Sequence, residues 1–550
     1  MQRLKKPAII LLFISSFSFF SFRAADNYFE ISKNLEIFAS VVKEVNTYYV
    51  DEIEPATLLR VGIDAMLKSL DPYTDYYSES EVEDYRFMTT GQYGGIGASI
   101  SKRGDYIMIL EPYEGWAAQK ADLRAGDVIM EIDGKSMKGK TTDEVSKLLK
   151  GQAESEIKML IKRGDTEPFV KTFKRDEIKV KNVPYYGMIN ENIGYIKFTG
   201  FRQEAAAEVR NALVELKKNP KMTGLVLDLR GNPGGLLDEA IKAVNIFVDK
   251  GQLVVSTKGK MQEWNKEYTT ESEATDTKLP LVVLTDGGSA SAAEIVSGSL
   301  QDLDRAIVVG ENTFGKGLVQ TTRPLPYNTQ MKITTSKYYI PSGRCIQQLD
   351  YSHKDENGKA IKMADSLKRA FKTKCGRTVF DGNGIKPDIE IERKEFADVV
   401  ESLGEKKLFY DFANAYRAKH ATIPAAKDFN VSDADFQEFL AFLKNKEYAY
   451  TTATEESLKS LETAAKEEKY YAALKADIET MQKKLHEDKR EDVNKYKEDI
   501  KEILEEEIVA RYYFQTGRVE SSFDDDNDIN EALQLFGNPD KYRKILSASK

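Results

Sequence analysis

Short apolar runs alternate with helical stretches between residues 193 and 309, and this alternation constrains the fold more than any other feature of the sequence. The apolar runs have the length of buried strands, and the stretches between them carry apolar residues at helical spacing. Strands that alternate with helices form a sheet covered by helices. The sequence therefore predicts an α/β fold, with strands at 193–198, 225–229, 281–284 and 306–309 and helices at 204–217 and 236–247.

A serine stands where the third of these strands passes into a helical pattern. Asp286 and two glycines break the strand, and the turn Ser289-Ala-Ser291 follows. Backbone N–H groups at a helix N-terminus favour negative charge, so a serine at this turn suits nucleophilic chemistry. The fourth strand leads into a glycine-rich loop that carries one lysine, Lys316, between two glycines.

A histidine is not the predicted base for this serine. The chain has three histidines, His353, His420 and His486. All three lie in polar or charged segments, away from strand ends and glycine-rich turns, and are predicted to be solvated surface residues. A G-x-S-x-G elbow is also absent around Ser291, which disfavours a Ser-His-Asp hydrolase.

Lys316 is the candidate base instead. A lysine accepts a proton only when it is neutral, and burial among apolar groups lowers its pKa because desolvation disfavours the charged form. The flanking glycines and Phe314, Leu318 and Val319 suit such close packing. Taken alone, Lys316 reads as an ordinary loop lysine, and its pairing with the serine turn favours the role of base.

These segments resemble the active-site region of the carboxy-terminal processing peptidases, a family of Ser-Lys endopeptidases. Members carry a SASASE-like turn, then QD..RA, then TFGKG..Q; this chain has SASAAE at 289–294, QDLDRA at 301–306 and TFGKGLVQ at 313–320. The family separates its nucleophile and its lysine by 25 residues, which implies Ser291 rather than Ser289 as the partner of Lys316. The resemblance also implies that Gln320 holds the lysine amine by a hydrogen bond. Ala293 stands where many members have a third serine, which is not the mapped nucleophile.

A second segment, GLVLDLRGNPGG at 224–235, reads as a strand followed by a glycine-rich turn. Acyl transfer needs preorganised N–H donors for the oxyanion. By resemblance to the family motif DLR.N.GG, a backbone N–H of Gly234 or Gly235 and that of Ala292 would form the oxyanion hole. A glycine pair is otherwise a tight turn. A phosphate-cradling loop is disfavoured, because neither the P-loop nor the dinucleotide glycine pattern fits.

Residues 91–170 resemble a PDZ domain, through a glycine-rich loop and the core segment LRAGDVIMEIDG at 123–134. The resemblance assigns the carboxylate-binding loop to Gly95, Ile96, Gly97 and Ala98. Consecutive N–H groups of such a loop bind a peptide C-terminal carboxylate, while the adjoining strand edge pairs with the peptide backbone. The helix predicted at 142–149 would contribute apolar side chains to the pocket. A β-rich module without a working groove is the alternative.

Four further segments complete the predicted organisation. Residues 1–25 read as a signal peptide or signal-anchor, 26–90 as a helical region, 171–395 as the peptidase domain and 396–550 as a Lys- and Glu-rich helical region. The family resemblance gives the peptidase domain a crotonase-like ββα superhelix. The signal segment predicts an exported, periplasmic protein, which a retained anchor would hold at the inner membrane. The last region is a candidate for binding an adaptor protein or for homo-oligomerisation, with a stabilising appendage as the alternative.

Composition and residue spacing argue against several other functions. A net charge of −9 and the lack of a basic patch disfavour nucleic-acid binding. Cys345 and Cys375 lack the spacing of a metal site, and a disulfide or two free thiols both stay open. The acidic run at 524–528 lacks the glycine and the final glutamate of an EF-hand and is predicted to be a solvated linker. The chemistry of the resembled family needs no metal and no organic cofactor.

The sequence thus predicts a serine endopeptidase with a Ser-Lys dyad and Gln320. Such an enzyme would recognise protein C-termini through the PDZ domain and cleave or process exported proteins. Two alternatives stay open. One is a catalytically silent PDZ adaptor in the periplasm, and the other is a crotonase-like enzyme that acts on small thioesters, which the signal segment and the PDZ resemblance disfavour.

Overall fold

A computed structural model describes residues 28–547 of the 550-residue chain. These residues divide into two compact units. The first contains residues 28–80 and 320–334, and the second contains residues 81–319 and 335–547. The signal segment predicted at 1–25 lies outside the described residues. No helix among residues 28–547 is both long and apolar enough to cross a membrane.

The first unit contains two helices, a short strand and, in residues 320–334, parts of the strands Leu318–Pro324 and Gln330–Tyr339. Residues 28–48 form α1, Pro55–Lys68 form α2 and Asp75–Tyr77 form β1, which pairs antiparallel with residues 330–332. The Asp71 carboxylate accepts hydrogen bonds from the backbone N–H groups of Tyr73 and Thr74, each at 2.8 Å. This Asp turn ends α2 and directs the chain into β1.

The second unit begins with a β-rich module. Its helices are α3 (Val82–Thr90), α4 (Ala117–Lys120) and α5 (Thr142–Leu149). Its strands are β2 (Gln92–Gly95), β3 (Ala98–Arg103), β4 (Tyr106–Pro112), β5 (Val128–Ile132), β6 (Lys135–Ser136), β7 (Glu156–Lys162), β8 (Phe169–Lys174) and β9 (Asp176–Lys179). The antiparallel sheet runs β3-β4-β5-β7-β8 with β6 beside β5, and β2 pairs with β9. The strand β3 therefore lies at a sheet edge.

The bounds of α5 coincide with the predicted helix, and its sequence explains why. Thr141 and Glu144 form a reciprocal capping box at its start. Val145 and Leu149 are buried in the core of the module, while Leu148 on the same helix is only half-buried.

The peptidase region follows. Its strands are β10 (Tyr185–Met188), β11 (Ile193–Lys197), β12 (Gly224–Asp228), β13 (Leu253–Gly259), β14 (Lys266–Thr269), β15 (Leu281–Thr285), β16 (Ile307–Gly310), β17 (Leu318–Pro324), β18 (Gln330–Tyr339), β19 (Leu349–Lys354), β20 (Ala360–Lys362), β21 (Ala370–Lys372), β22 (Thr378–Phe380) and β23 (Ile389–Glu390). Its helices are α6 (Ala205–Leu216), α7 (Leu237–Asn245) and α8 (Ala292–Asp302). The central sheet runs β10-β11-β12-β15-β16-β23, parallel except for β10. The predicted α/β fold is confirmed.

Both faces of this sheet are covered, because successive residues of a strand point to opposite sides. Leu225, Leu227 and Val283 belong to the core formed with α6, α7 and α8. Their strand neighbours Val226 and Val282 belong to a second core on the other face. Smaller antiparallel pairs surround the sheet: β13 with β14, β13 with residues 336–339 of β18, β19 with β20, and β21 with β22.

The C-terminal helical region completes the second unit. Its helices are α9 (Asp398–Glu405), α10 (Leu408–Lys419), α11 (Asp433–Leu443), α12 (Ala453–Glu467), α13 (Tyr471–Lys495), α14 (Lys497–Ser521), α15 (Asn527–Gly537) and α16 (Pro539–Leu546). Residues of α9, α10, α11 and α14 share one apolar core. Phe514 interrupts α14 with φ +54° and ψ −151°, which kinks the helix.

The last two helices are part of the peptidase core. Ile529, Ala532 and Leu535 of α15 are fully buried with Val226 and Val282 of the central sheet. The hydroxyl of Tyr542 in α16 accepts a hydrogen bond from the Leu281 N–H at 2.9 Å and donates to the Leu281 carbonyl at 3.0 Å. The helices α15 and α16 therefore cover the second face of the central sheet.

The acidic run before α15 is not a solvated linker, and that prediction is wrong. The Asp526 side chain caps α15 by accepting hydrogen bonds from the N–H groups of Asp528 and Ile529. Asp526 and Asp528 also form ion pairs with Arg230, which follows β12 in the peptidase region. The short-range charge pattern of the run contained no sign of a partner 296 residues away.

Candidate active site

Ser291 lies between β15 and α8 and is the N-cap residue of that helix. Its backbone has φ +55° and ψ −113°, a region that non-glycine residues rarely occupy. Such a conformation persists only where the surroundings enforce it, and it is common at functional sites. The Ser291 side chain is half-buried, at the start of a helix whose N-terminus favours negative charge.

Ser289 has a structural role in the same turn. Its side chain is fully buried, and the hydroxyl donates to the Leu229 carbonyl at 2.9 Å and accepts from the Asp286 N–H at 3.0 Å. The hydroxyl of Ser289 is therefore committed to holding the turn against the end of β12. Ser291, which the spacing of the resembled family selects over Ser289, stays the predicted nucleophile.

Asp286 joins the serine turn to the glycine-rich turn after β12. Its Oδ1 accepts hydrogen bonds from the N–H groups of Gly231 at 2.8 Å and Gly288 at 2.9 Å, and it lies 3.1 Å from the Ser289 Oγ. A second link runs from the Ala290 N–H to the Asn232 carbonyl at 2.9 Å. The two turns are thus held together by the hydrogen bond from Gly231 to Asp286 and by the one from Ala290 to Asn232, while the Gly288 bond to Asp286 lies within the serine turn.

The glycine-rich turn approaches the serine turn too closely for any other residue. A Cβ on Gly234, where φ is +92°, would lie 2.8 Å from the Ala292 nitrogen and 2.9 Å from the Ser291 Cβ. The Gly234 N–H donates to Asn232 Oδ1 at 2.9 Å. Within the part of the chain that the structure describes, the N–H groups of Gly235 and Ala292 have no acceptor. Of the two glycines named as oxyanion candidates, Gly235 is thus the one whose N–H is not already engaged.

Glu294 links the serine turn to the lysine loop, and sequence reasoning had given it no role. Its side chain is fully buried. Its Oε2 accepts from the backbone N–H of Ser291 at 2.8 Å and from that of Lys316 at 2.9 Å. Its Oε1 accepts from the Gly315 N–H at 2.7 Å and from the Thr313 hydroxyl. Burial raises the pKa of Glu294, while these four donors oppose that rise.

Lys316 lies in the loop between β16 and β17, and its side chain is half-buried. The flanking glycines let the loop approach neighbouring backbone: a Cβ on Gly317 would lie 2.8 Å from the Gln347 nitrogen. Phe314 is 46% exposed, so this flanking aromatic residue is less buried than close packing of the loop predicts. Behind the serine turn, the buried Tyr338 hydroxyl donates to the Ser291 carbonyl at 3.2 Å.

Gln320 belongs to the first unit, whereas Ser291 and Lys316 belong to the second. Its side-chain amide donates to the Thr334 hydroxyl at 3.1 Å. The hydrogen bond expected between Gln320 and the Lys316 amine stays a prediction.

The loop assigned to carboxylate binding connects β2 to the edge strand β3. Gly97 has φ +72°, and a Cβ there would lie 2.5 Å from the Trp116 Cβ. The carbonyls of Ile96 and Gly97 accept from Ala118 and Tyr113. No acceptor for the N–H of Ile96 or Gly97 is found among residues 28–547. These N–H groups, together with the adjoining edge of β3, suit capture of a chain end.

The cysteines, the metal-ligating residue types and His353 were also considered for a functional role. Cys345 and Cys375 are free thiols. Over residues 28–547, no group of three or more His, Cys, Asp or Glu side chains is arranged to hold a metal ion. His353 is 78% exposed and pairs with Asp350, so it lacks the buried surroundings that are usual for a catalytic base.

Comparison with known proteins identifies the family. A carboxy-terminal-processing protease of Bartonella bacilliformis is 39% identical over 320 residues, which cover 57% of this chain and 73% of that protein. The chain belongs to the carboxy-terminal-processing protease family. A probable CtpA-like serine protease of Staphylococcus aureus (strain N315) is also 39% identical, over 57% of this chain and 62% of that protein.

Family models match three parts of this processing protease. The model of Peptidase family S41 matches residues 192–353, that of the PDZ domain matches 108–163, and that of a probable PDZ-protease C-terminal helical domain matches 399–536. Among solved structures, a photosystem II D1 C-terminal processing protease is 26% identical with a TM-score of 0.35, covering 64% of this chain and 92% of that one. The predicted family, the multidomain α/β architecture and a serine-type peptidase activity are confirmed.

Two functional features of this processing protease were missed in the sequence. Glu294 stands three residues after Ser291, which is the spacing of a helix-capping glutamate and was a usable signal. Asp286 was read only as a strand breaker, because a single aspartate before two glycines is common in turns.

Proposed function

We propose that the protein is an endopeptidase in which Ser291 is the nucleophile and Lys316 the general base. The observation that carries this proposal is the shared hydrogen-bond acceptor. Glu294 Oε2 binds the backbone N–H of both residues, so one buried carboxylate ties the serine turn to the lysine loop. Because the histidine of the peptidase region, His353, is 78% exposed, the half-buried Lys316 is the base that the proposal favours.

The proposed reaction has two acyl-transfer steps. The neutral Lys316 amine takes the proton of the Ser291 hydroxyl as the oxygen attacks the peptide carbonyl. The resulting oxyanion binds the N–H groups of Gly235 and Ala292, whose freedom from other acceptors supports this role. The Lys316 ammonium then protonates the leaving amine. A water molecule, deprotonated by Lys316, hydrolyses the acyl-enzyme, and the proton returns to Ser291. No step requires a metal or a cofactor.

The substrate is proposed to be an exported protein with an accessible C-terminus. The PDZ domain supports this choice, because the N–H groups of Ile96 and Gly97 suit a carboxylate and the neighbouring edge of β3 suits an extended peptide. Gly95 and Ala98 complete the proposed loop. The location is proposed to be the periplasm, with the N-terminal segment 1–25 as export signal or as anchor to the inner membrane. Gln320 is proposed to orient the Lys316 amine.

Cleavage of an unfolded protein by the wild type and by Ser291→Ala tests the proposal. We expect Ser291→Ala to have no measurable cleavage, because no second activated nucleophile is proposed. Ser299→Ala is the matched control: Ser299 is a buried serine of the adjacent helix α8 that donates to the Val254 carbonyl. It should cleave at a rate close to that of the wild type. Equal cleavage by the wild type and Ser291→Ala would refute the catalytic assignment, and cleavage by neither would favour the silent adaptor.

A further inference from the structure

Arg230 lies between the catalytic turn and the C-terminal helices, and carboxylates hold it from both sides. On one side, Nη2 donates to Asp228 Oδ2 at 2.7 Å and Nε donates to Asp228 Oδ1 at 3.1 Å. On the other side, Nη1 donates to Asp526 Oδ1 at 3.0 Å and to Asp528 Oδ2 at 2.9 Å. Only 19% of the Arg230 side chain is exposed, and the side chain of Asp228 is fully buried.

The charges of this cluster depend on one another. Burial raises the pKa of Asp228, but Arg230 and Lys197 outweigh it and hold that pKa well below its usual range. Burial also raises the pKa of Asp528, and Arg230 opposes the rise. If Asp526 and Asp528 lost their charge, the Nη1 side of the guanidinium would be left without the negative charges that compensate it in a largely buried place.

Arg230 is also connected to the reacting groups. It is followed by Gly231, whose N–H donates to Asp286, the residue that holds the serine turn. Asn232 lies two residues after Arg230. Its side-chain Oδ1 accepts a hydrogen bond from the Gly234 N–H, and its backbone carbonyl accepts one from the Ala290 N–H. A displacement of Arg230 is therefore transmitted to the turn that carries the Gly235 N–H and to the turn before Ser291.

The two aspartates come from a rigid element and not from a loose tail. Asp526 is the N-cap of α15, and Asp528 lies in its first turn. The same helix buries Ile529, Ala532 and Leu535 against the central sheet. The position of both carboxylates is consequently fixed relative to the sheet that carries Arg230.

We propose that Asp526 and Asp528 are positioning residues for the peptidase reaction. They hold Arg230, and through Arg230 they set the distance between the Gly231–Gly235 turn and Ser291. Turnover therefore depends on the C-terminal helical region even though none of the proposed catalytic groups belongs to it. This inference rests on the proposed Ser291 chemistry.

The test compares two double variants of the full-length protein that remove the same charge from the same five-residue run. Asp526→Asn/Asp528→Asn removes the carboxylates that bind Arg230, and asparagine keeps the capability to cap α15. Asp524→Asn/Asp525→Asn is the matched control, because both of these side chains are exposed. Steady-state kinetics on an unfolded protein substrate give kcat and KM, and binding of a fluorescent peptide with a free carboxylate reports on the PDZ domain.

We expect the 526/528 variant to lose about 10- to 100-fold in kcat, with KM and peptide affinity unchanged, because only the transition-state donors are displaced. The 524/525 control should stay within about twofold of the wild type. Circular dichroism at the assay temperature and the thermal midpoint separate misfolding from misplacement. A kcat loss that disappears at a lower temperature, where the variant is fully folded, would overturn the positioning role.

Ser291→Ala separates failure of this inference from failure of the proposed function. If Ser291→Ala is inactive and the 526/528 variant retains the wild-type kcat, only the positioning role is wrong. If both double variants lose kcat equally, the effect is one of net charge and the positioning role is again wrong. If Ser291→Ala cleaves like the wild type, the proposed reaction itself is wrong and the positioning role falls with it.

Discussion

Ser291 and Lys316 are joined through a single atom: the backbone N–H of each donates to Glu294 Oε2, at 2.8 and 2.9 Å. The carboxylate is fully buried, and its other oxygen accepts two more hydrogen bonds from the lysine loop. Four donors converging on one buried acceptor fix both segments without using either reacting side chain. The separation of the two backbone segments, and with it that of the proposed nucleophile and base, is thus set by a buried carboxylate.

Replacing Glu294 by glutamine tests this role. The Glu294→Gln side chain would direct an NH₂ group at backbone N–H donors, so at least one hydrogen bond becomes a donor–donor contact. We expect kcat to fall about 100-fold and the free energy of unfolding to fall by about 1–3 kcal/mol. Enzyme kinetics and urea unfolding measure the two effects.

Glu239→Gln is the control for that substitution. Glu239 is a buried glutamate of α7 that accepts from the Ala206 N–H at 2.9 Å and pairs with Lys242, and it contacts neither catalytic turn. It should lose stability while kcat stays near the wild-type value. Equal kcat losses in both variants would show that Glu294 acts only through general stability.

Gly97→Ala tests the carboxylate-binding loop of the PDZ domain. The new Cβ would sit 2.5 Å from the Trp116 Cβ at a residue with φ +72°, so the loop must shift. We expect the affinity for a peptide with a free C-terminus to fall at least about tenfold, while hydrolysis of a small ester is unchanged. Fluorescence anisotropy with the free-acid peptide and its C-terminal amide measures the effect.

Gly104→Ala provides the comparison within the same module. Gly104 has φ +58° in the turn between β3 and β4, but a Cβ there meets nothing within 4 Å. It carries similar backbone strain without a clash at the loop. Peptide binding that is weakened equally by both substitutions would place the carboxylate site elsewhere.

Glu506 makes stability depend on pH. This residue lines a cavity of about 600 Å³ beside Arg230 and α15, and burial raises its pKa from 4.5 to about 7. The charged groups that act on it are Arg518, which lowers the pKa, and Glu502, Glu507 and Asp526, which raise it. The pKa of Glu506 is higher in the folded state than in the unfolded state, so the folded state is favoured when Glu506 is protonated. This stabilisation is complete below pH 4.5 and is lost as the pH rises through about 7.

Glu506→Gln should therefore become more stable than the wild type as the pH rises. We expect the difference in unfolding free energy to grow between about pH 4.5 and 7 and to level off at about 1–3 kcal/mol above pH 8. Urea titrations at several pH values measure it. Glu498→Gln, at an exposed position of the same helix, should show no such trend. A constant difference across the pH range would contradict the assignment.

The sequence allowed four of the six strands of the central sheet to be predicted to within one residue at each end. The strand predicted at 225–229 is found at Gly224–Asp228, and the helix predicted at 204–217 is found at Ala205–Leu216. Both follow from apolar periodicity, which is a local property. The serine turn was predictable for the same reason, because a strand, two glycines and a helix start are adjacent in the chain.

Other features depend on partners that are distant in the sequence. The role of Glu294 requires the backbone of Gly315 and Lys316, and the roles of Asp526 and Asp528 require an arginine almost 300 residues earlier. Hydrogen bonds and ion pairs of this kind leave no periodic signal. The exposure of Phe314 was not predicted for a related reason. An aromatic residue beside glycines is compatible with a packed loop and with a surface loop equally well.

Acylation of the nucleophile tests the central claim most directly. A serine-reactive fluorophosphonate is incubated with the wild type and with Lys316→Arg, and the labelled residue and labelling rate are determined by mass spectrometry. We predict labelling at Ser291 in the wild type and a rate about 10²- to 10⁴-fold lower in Lys316→Arg, because arginine stays protonated and cannot accept the serine proton. Labelling at Ser289, or labelling of Lys316→Arg at the wild-type rate, would contradict the Ser291–Lys316 assignment.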